Sequence, residues 1–232
     1  MFKSILFASG LALASSGALA INGPSWIDGL YNTGEGFAAG EVDTHYTFER
    51  IQGTATGTSG HGVVSSGTGF PFTSAALPKN VWVANDETSQ WLAPTAAAGT
   101  TYDRTSEGLY KWSLSFDLTG MNVDTATFTA RWLADNDGYI SLNGNTIATG
   151  ASYLSWMDFS ADSGFVAGIN TLDFYVTNFA GKSGNPTGLR VEFLSSYAVG
   201  PTPVVSVPEP TTSAMILAGL FVVGAVARRR MS

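Results

Sequence analysis

Residues 132–148 read WLADNDGYISLNGNTIA, and the fold class follows from them. The segments 139–142 and 145–148 flank Asn143-Gly144, the pair that most favours a two-residue type I′ hairpin turn. The stretch is therefore two antiparallel strands, 139–142 and 145–148, with a third strand leading in through Trp132. Apolar–polar alternation spreads outward from it. Tyr110, Trp112, Leu114, Phe116 and Leu118 alternate with polar residues, as do Ala126, Phe128, Ala130 and Trp132. Leu172, Phe174 and Val176 follow a Gly168-Ile169-Asn170 turn, and Leu189, Val191 and Phe193 close the series. Earlier strands are expected at 46–51, 62–65 and 81–84, and 53–69 is a Gly/Thr/Ser stretch that reads as a long loop or a weak edge strand. Eight or more short antiparallel strands without helical periodicity predict an all-β, jelly-roll-like β-sandwich over 21–199, with a closed barrel as the alternative.

Composition narrows the function. Charged residues make up 12% of the 232-residue chain and net charge is −7, so no basic stripe is available for nucleic acid. There is no cysteine, which removes disulfides, thiolate metal sites and cysteine nucleophiles. His45 and His61 are the only histidines, and no G-x-S-x-G elbow accompanies them. Carboxylate pairs such as Glu41/Asp43 and Asp86/Glu87 show no spacing that singles them out for a glycosidase.

The two ends read as addresses. Residues 1–20 have the order of a secretory signal peptide: Lys3, an apolar stretch, then Ala18-Leu19-Ala20 with small residues at the cleavage positions. At the other end, 200–210 is a proline-rich tether ending in Val207-Pro208-Glu209-Pro210. An apolar run, 214–227, follows and ends at Arg228-Arg229-Arg230. Segment 211–232 is expected to be a transmembrane helix, although its 14-residue apolar run rises only about 21 Å. Without Lys3, Glu209 and the three terminal arginines, 7 basic and 17 acidic residues remain, a net charge of −10.

This tripartite tail resembles the PEP-CTERM sorting signal in its Val207–Pro210 motif, its Gly219-Leu220 pair and its arginine cluster. The resemblance implies an exosortase as processing partner, an inner-membrane precursor, and delivery to the cell surface or exopolysaccharide matrix of a Gram-negative bacterium. Residues 132–144, 168–176 and 185–193 ("NPTGLRVEF") also resemble segments of galactose-binding-like sandwiches, which implies the fold and no particular activity.

Two constellations are candidate sites. Trp26, Trp91 and Trp156 lie nearest loops and are the tryptophans expected to be able to stack on a sugar, whereas Trp112 and Trp132 fall on inward strand positions. Asp135 and Asp137, with Asn136, Asn143 and Asn145, gather oxygen ligands that suit calcium. Ordinary turn chemistry explains the same residues, and Gly138 comes too early for an EF-hand loop. The loop 179–188 is longer than a hairpin requires and is a further place for a ligand. The reading is a non-enzymatic surface or matrix protein with weak carbohydrate binding and no obligatory cofactor. A structural or assembly protein and a secreted glycan hydrolase are the alternatives.

Overall fold

The computed structural model describes residues 24–56, 59–72, 81–200, 220 and 226–230. Strands β1 (Pro24–Ser25), β2 (Val42–Gln52), β3 (Ser59–Val64), β4 (Leu92–Ala93), β5 (Gly108–Asp117) and β6 (Asn122–Asp135) come first in the chain. They are followed by β7 (Asp137–Leu142), β8 (Asn145–Thr149), β9 (Met157–Ala161), β10 (Ile169–Asn178) and β11 (Gly188–Val199). Every described pairing is antiparallel. The hydrogen-bonded order is β8-β7-β10-β5-β2-β3-β4-β11-β6-β9, with β1 added beside β11. This one ladder folds back on itself so that its end strands β8 and β9 come together, giving a sandwich close to a closed barrel.

Alternation explains the strands. In β5, Tyr110, Trp112, Leu114 and Phe116 are buried while Lys111, Ser113 and Ser115 face outward. Their inward neighbours in register are Phe174 and Leu172 on β10 and Tyr46 and Phe48 on β2. Phe128 meets Phe159, Phe165 and Phe193 edge-on at 5.6–6.0 Å, and Trp132 and Phe159 reach Phe174 across the core. Edge-on pairs of this kind each contribute about 0.5–1.5 kcal/mol beyond area burial. The β7–β8 hairpin turns where expected, with Asn143 at φ 52° and Gly144 at φ 82°. Gly138 admits no side chain, because a Cβ there would lie 2.1 Å from the Tyr175 carbonyl oxygen.

Three expectations need correction. Residues 81–84 do not form a strand: Val81 and Trp82 donate to the Pro71 carbonyl and Val83 to that of Tyr153, so the segment crosses over the sheet rather than joining it. Strand β9 has only Phe159 and Ala161 facing inward, too short an alternation to read from sequence.

The third correction concerns the expected membrane helix over 211–232. Among the described residues no helix is long and apolar enough to cross a membrane. What is described there is exposed: Leu220 and a helical turn at 226–229 carrying Arg228 and Arg229, with Arg230 beside it. The apolar run falls short of the roughly 30 Å hydrocarbon layer. The inferences built on a spanning helix fall with it: an inner-membrane precursor, an exosortase as partner, and delivery to an exopolysaccharide matrix at the cell surface. The signal-peptide residues Ala18 and Ala20 and the motif Val207, Pro208, Glu209 and Pro210 lie outside the described residues.

Candidate functional site

The outward side of the β11-β6-β9 layer carries the site. Its residues stand in rungs across the strands. Glu192, Arg131 and Asp158 form one, and Ser195, Thr129 and Ser160 form the next. Tyr197 and Thr127 begin a third. Between Phe193 and Ser195 the register slips by one residue, so Leu194 is an extra residue pushed out of the ladder and left 53% exposed. Beside this bulge lies a hollow of about 350 Å³ lined by Thr129, Ala130, Asp158, Phe159, Ser160 and Leu194. Leu194 is its exposed apolar side chain and Thr129, Asp158 and Ser160 supply polar groups, while Ala130 and Phe159 line it from strand positions whose side chains turn into the core.

One end of the same face is closed over by a buried ion cluster. Arg190 is fully buried, and its Nη2 lies 2.8 Å from Asp86 Oδ2 and 3.3 Å from Glu192 Oε1. Its Nε donates to Ser89 Oγ, which in turn donates to Glu192 Oε1, and its Nη1 donates to the Ala84 carbonyl. Arg131 donates to Glu192 Oε2 from Nε at 2.7 Å and lies within 2.5 Å through Nη2. Burial alone would raise the Asp86 carboxyl. Bonds from the Ser89 and Thr88 amides and from Arg190 together hold it below the usual carboxylate range. Two cations and two anions thus neutralise each other under a roof formed by the segment around 81–91. Beside them Trp82 and Trp91 stack at 4.2 Å and pack with Phe72, Ala98 and Leu133.

The structure separates the three expected tryptophans. Trp91 is fully buried and donates to the Val83 carbonyl, so it is a core residue and cannot meet a ligand. Trp156 is half-buried, with the Arg131 and Arg190 guanidiniums 4.4 and 4.9 Å from its ring centre. Its ring caps protein cations at one end of the hollow. Trp26 is 54% exposed and follows the Ser25↔Ala198 pair, which brings it out at the other end near exposed Tyr197. Thus Trp26 and Trp156 bracket one face, a relation across three strands that no local pattern signals. Sequence reasoning also missed Asp158, Ser160 and Leu194, because they belong to an unrecognised strand and an unsignalled bulge.

The Asp/Asn constellation divides as well. Asp135 is buried and accepts from Trp82 Nε1 at 2.7 Å. Burial pushes its carboxyl up to about 7, the tryptophan bond offsetting only part of the effect. Asp137 is exposed and its Oδ1 accepts from the Gly138 and Ala151 amides, which is turn chemistry. Asn143 bonds Gly164, Asn170 and Thr171 and so ties the hairpin to β10. Asp135 and Asp137 are therefore engaged separately. Among the described residues no group of three or more His, Asp or Glu gathers to hold a metal ion.

The loop after β10 is similarly pinned. Asn178 donates to Asp103 and Asn185 to the carbonyls of Tyr102 and Phe179. His45 stacks on Tyr31 at 3.8 Å, and His61 Nδ1 is 3.2 Å from the Tyr46 carbonyl. The domain carries no catalytic motif, and the hollow is lined by the single carboxylate of Asp158, where a glycosidase needs two.

No family model and no curated protein matches the chain. Among solved structures it is similar to a PA14 sugar-binding domain from an RTX adhesin, at 13% identity and TM-score 0.27, covering 68% of this chain and 79% of that one. A CBM35 from Cellvibrio japonicus matches at 15% identity and TM-score 0.29, covering 69% of this chain and 96% of that one. A Xyl-CBM35 in complex with a glucuronic acid-containing disaccharide matches at 15% and 0.27, covering 71% and 98%. What the site can do follows from its own residues.

Proposed function

We propose that residues 21–199 form a non-catalytic glycan-binding domain whose site is the hollow on the outward face of β11, β6 and β9. The observation that carries this reading is the hollow's lining: the exposed apolar side chain of Leu194 beside Thr129, Asp158 and Ser160. A sugar ring is amphipathic in the same sense, with C–H groups on its faces and hydroxyls at its rim. Its C–H face suits Leu194, and its hydroxyls suit the Asp158 carboxylate and the Ser160 hydroxyl. Exposed Trp26 and Tyr197 continue the face beyond the hollow and would extend contact along an oligosaccharide.

The test is calorimetric titration of the full chain with an oligosaccharide panel, beside a Ser160→Leu variant that fills the hollow without adding a charge or a ring. Saturable binding that Ser160→Leu weakens at least tenfold supports the reading. A folded wild-type chain that binds no member of the panel, or binding that Ser160→Leu leaves intact, refutes it.

A further inference from the structure

Arg131 stands in register between two acids, Glu192 on β11 and Asp158 on β9, and could pair with either. It takes Glu192, through both Nε and Nη2. The choice has a physical cause. Glu192 is 1% exposed, and a carboxylate removed from water needs a counter-charge, whereas Asp158 is exposed and solvated. Arg190, the second cation, also lies on Glu192 and on Asp86. The Asp158 carboxylate is consequently left without a hydrogen bond or ion pair to any described residue, at the lip of the hollow. Ser160 follows two positions later on the same side of β9, roughly 7 Å along the strand.

We infer that Asp158 determines the specificity of this hollow, which takes ring sugars free of acidic groups and rejects uronates and sulfated glycans. The inference rests on the glycan-binding reading above. An ionised carboxylate only accepts hydrogen bonds, and its two oxygens match two neighbouring sugar hydroxyls in a charge-assisted pair. A carboxylate or sulfate on the sugar would meet Asp158 without relief, because Arg131 is held by Glu192. The domain's net charge of −10 adds the same sign at longer range. Asp158 lies on an edge strand and touches no buried partner, so its side chain can be changed without disturbing the fold.

The experiment compares a neutral oligosaccharide with its uronate counterpart of the same linkage, titrated into the full chain at low salt, for wild type and Asp158→Asn. Wild type is expected to bind the neutral sugar at least tenfold more tightly, with the gap narrowing as salt is raised. Asp158→Asn is expected to lose at least tenfold in affinity for the neutral sugar and to lose the discrimination, with its thermal unfolding unchanged. Equal or tighter binding of the uronate by wild type would overturn the inference while leaving glycan binding standing. So would wild-type affinity for the neutral sugar in Asp158→Asn. A folded chain that binds neither sugar removes the glycan reading and this inference together.

Discussion

The outward faces of the two layers are built from similar residues and differ in one respect. On β7, β10, β5 and β2 the most prominent outward side chains pair with one another. Lys111 pairs with Glu49 at 2.8 Å, Ser113 donates to Asp173 at 2.5 Å, and Tyr139 stacks on Tyr175 at 4.4 Å and 7°. Lys111 is raised above its ordinary value first by the Glu49 bond, the mark of a satisfied pair. On β11, β6 and β9 the pairing stops halfway. Glu192 draws Arg131 and Arg190 to one end, and Asp158 and Ser160 remain unengaged beside a hollow. A sheet surface that satisfies its own groups needs no ligand. One that leaves a carboxylate and a hydroxyl unengaged beside an exposed leucine has somewhere to put one.

The difference hinges on Glu192, so removing its charge should have the largest effect. Glu192→Gln keeps the shape and leaves two guanidiniums facing each other, one of them fully buried. Breaking a buried ion pair in this way is expected to cost about 3–5 kcal/mol, measured by urea unfolding followed through tryptophan fluorescence. It should also free Arg131 to turn to Asp158, so glycan affinity should fall in the fraction that remains folded. A loss under about 1 kcal/mol would mean that the ion cluster does not organise this face.

Next in size is the pH response of the covered end. Asp135 has an ordinary value of 3.8 and is pushed up to about 7 in the fold. The folded state therefore holds this proton more tightly than the unfolded chain. Its ionisation destabilises the protein fully above pH 7, and that destabilisation is relieved as pH falls from 7 toward 4. The swing from this group is roughly 4 kcal/mol. Asp135→Asn keeps an acceptor for Trp82 Nε1–H, and its stability curve should lack this component, making the variant the more stable form at pH 8. Parallel curves for the two proteins between pH 5 and 8 would show that the carboxylate is solvated in solution.

Much of the inward face could be read from the sequence. Alternation placed Trp112, Trp132, Phe174 and Val191 inside, and Asn143-Gly144 located its hairpin. Arg190 and Glu192 stand between those inward positions on β11, and the segment that roofs them lies about a hundred residues earlier in the chain. Burial imposed from that distance leaves no local periodicity. The same limit hid the hollow, since its walls come from three strands and from a one-residue slip at Leu194. Trp91 misled for the same reason: it lies in a loop by sequence and in a packed cluster in space.

A smaller effect separates the two ends of the open face. Trp26 is exposed and forms no ring contact among the described residues, so Trp26→Ala should leave stability within about 0.5 kcal/mol of wild type. If a bound glycan extends from the hollow toward Tyr197, the variant should lose several-fold in affinity for long oligosaccharides and nothing for a monosaccharide. Equal losses for both lengths would place Trp26 in the primary contact and shift the site toward β1.

The smallest expected effect tests the self-satisfied face. Tyr139 is 36% exposed and aromatic, and on that ground alone it competes with Trp26 as a sugar platform. Its ring, however, is directly opposite Tyr175 in register and stacked on it, so one face of each ring is already covered. Cross-strand pairs of this kind contribute about 0.2–1 kcal/mol to a sheet, and Tyr139→Ala should cost no more than that in thermal unfolding. Glycan affinity should not change at all. A variant that unfolds like wild type but binds glycan several-fold more weakly would reverse the comparison, making the tyrosine pair the platform and the hollow beside Leu194 a packing defect of the bulge.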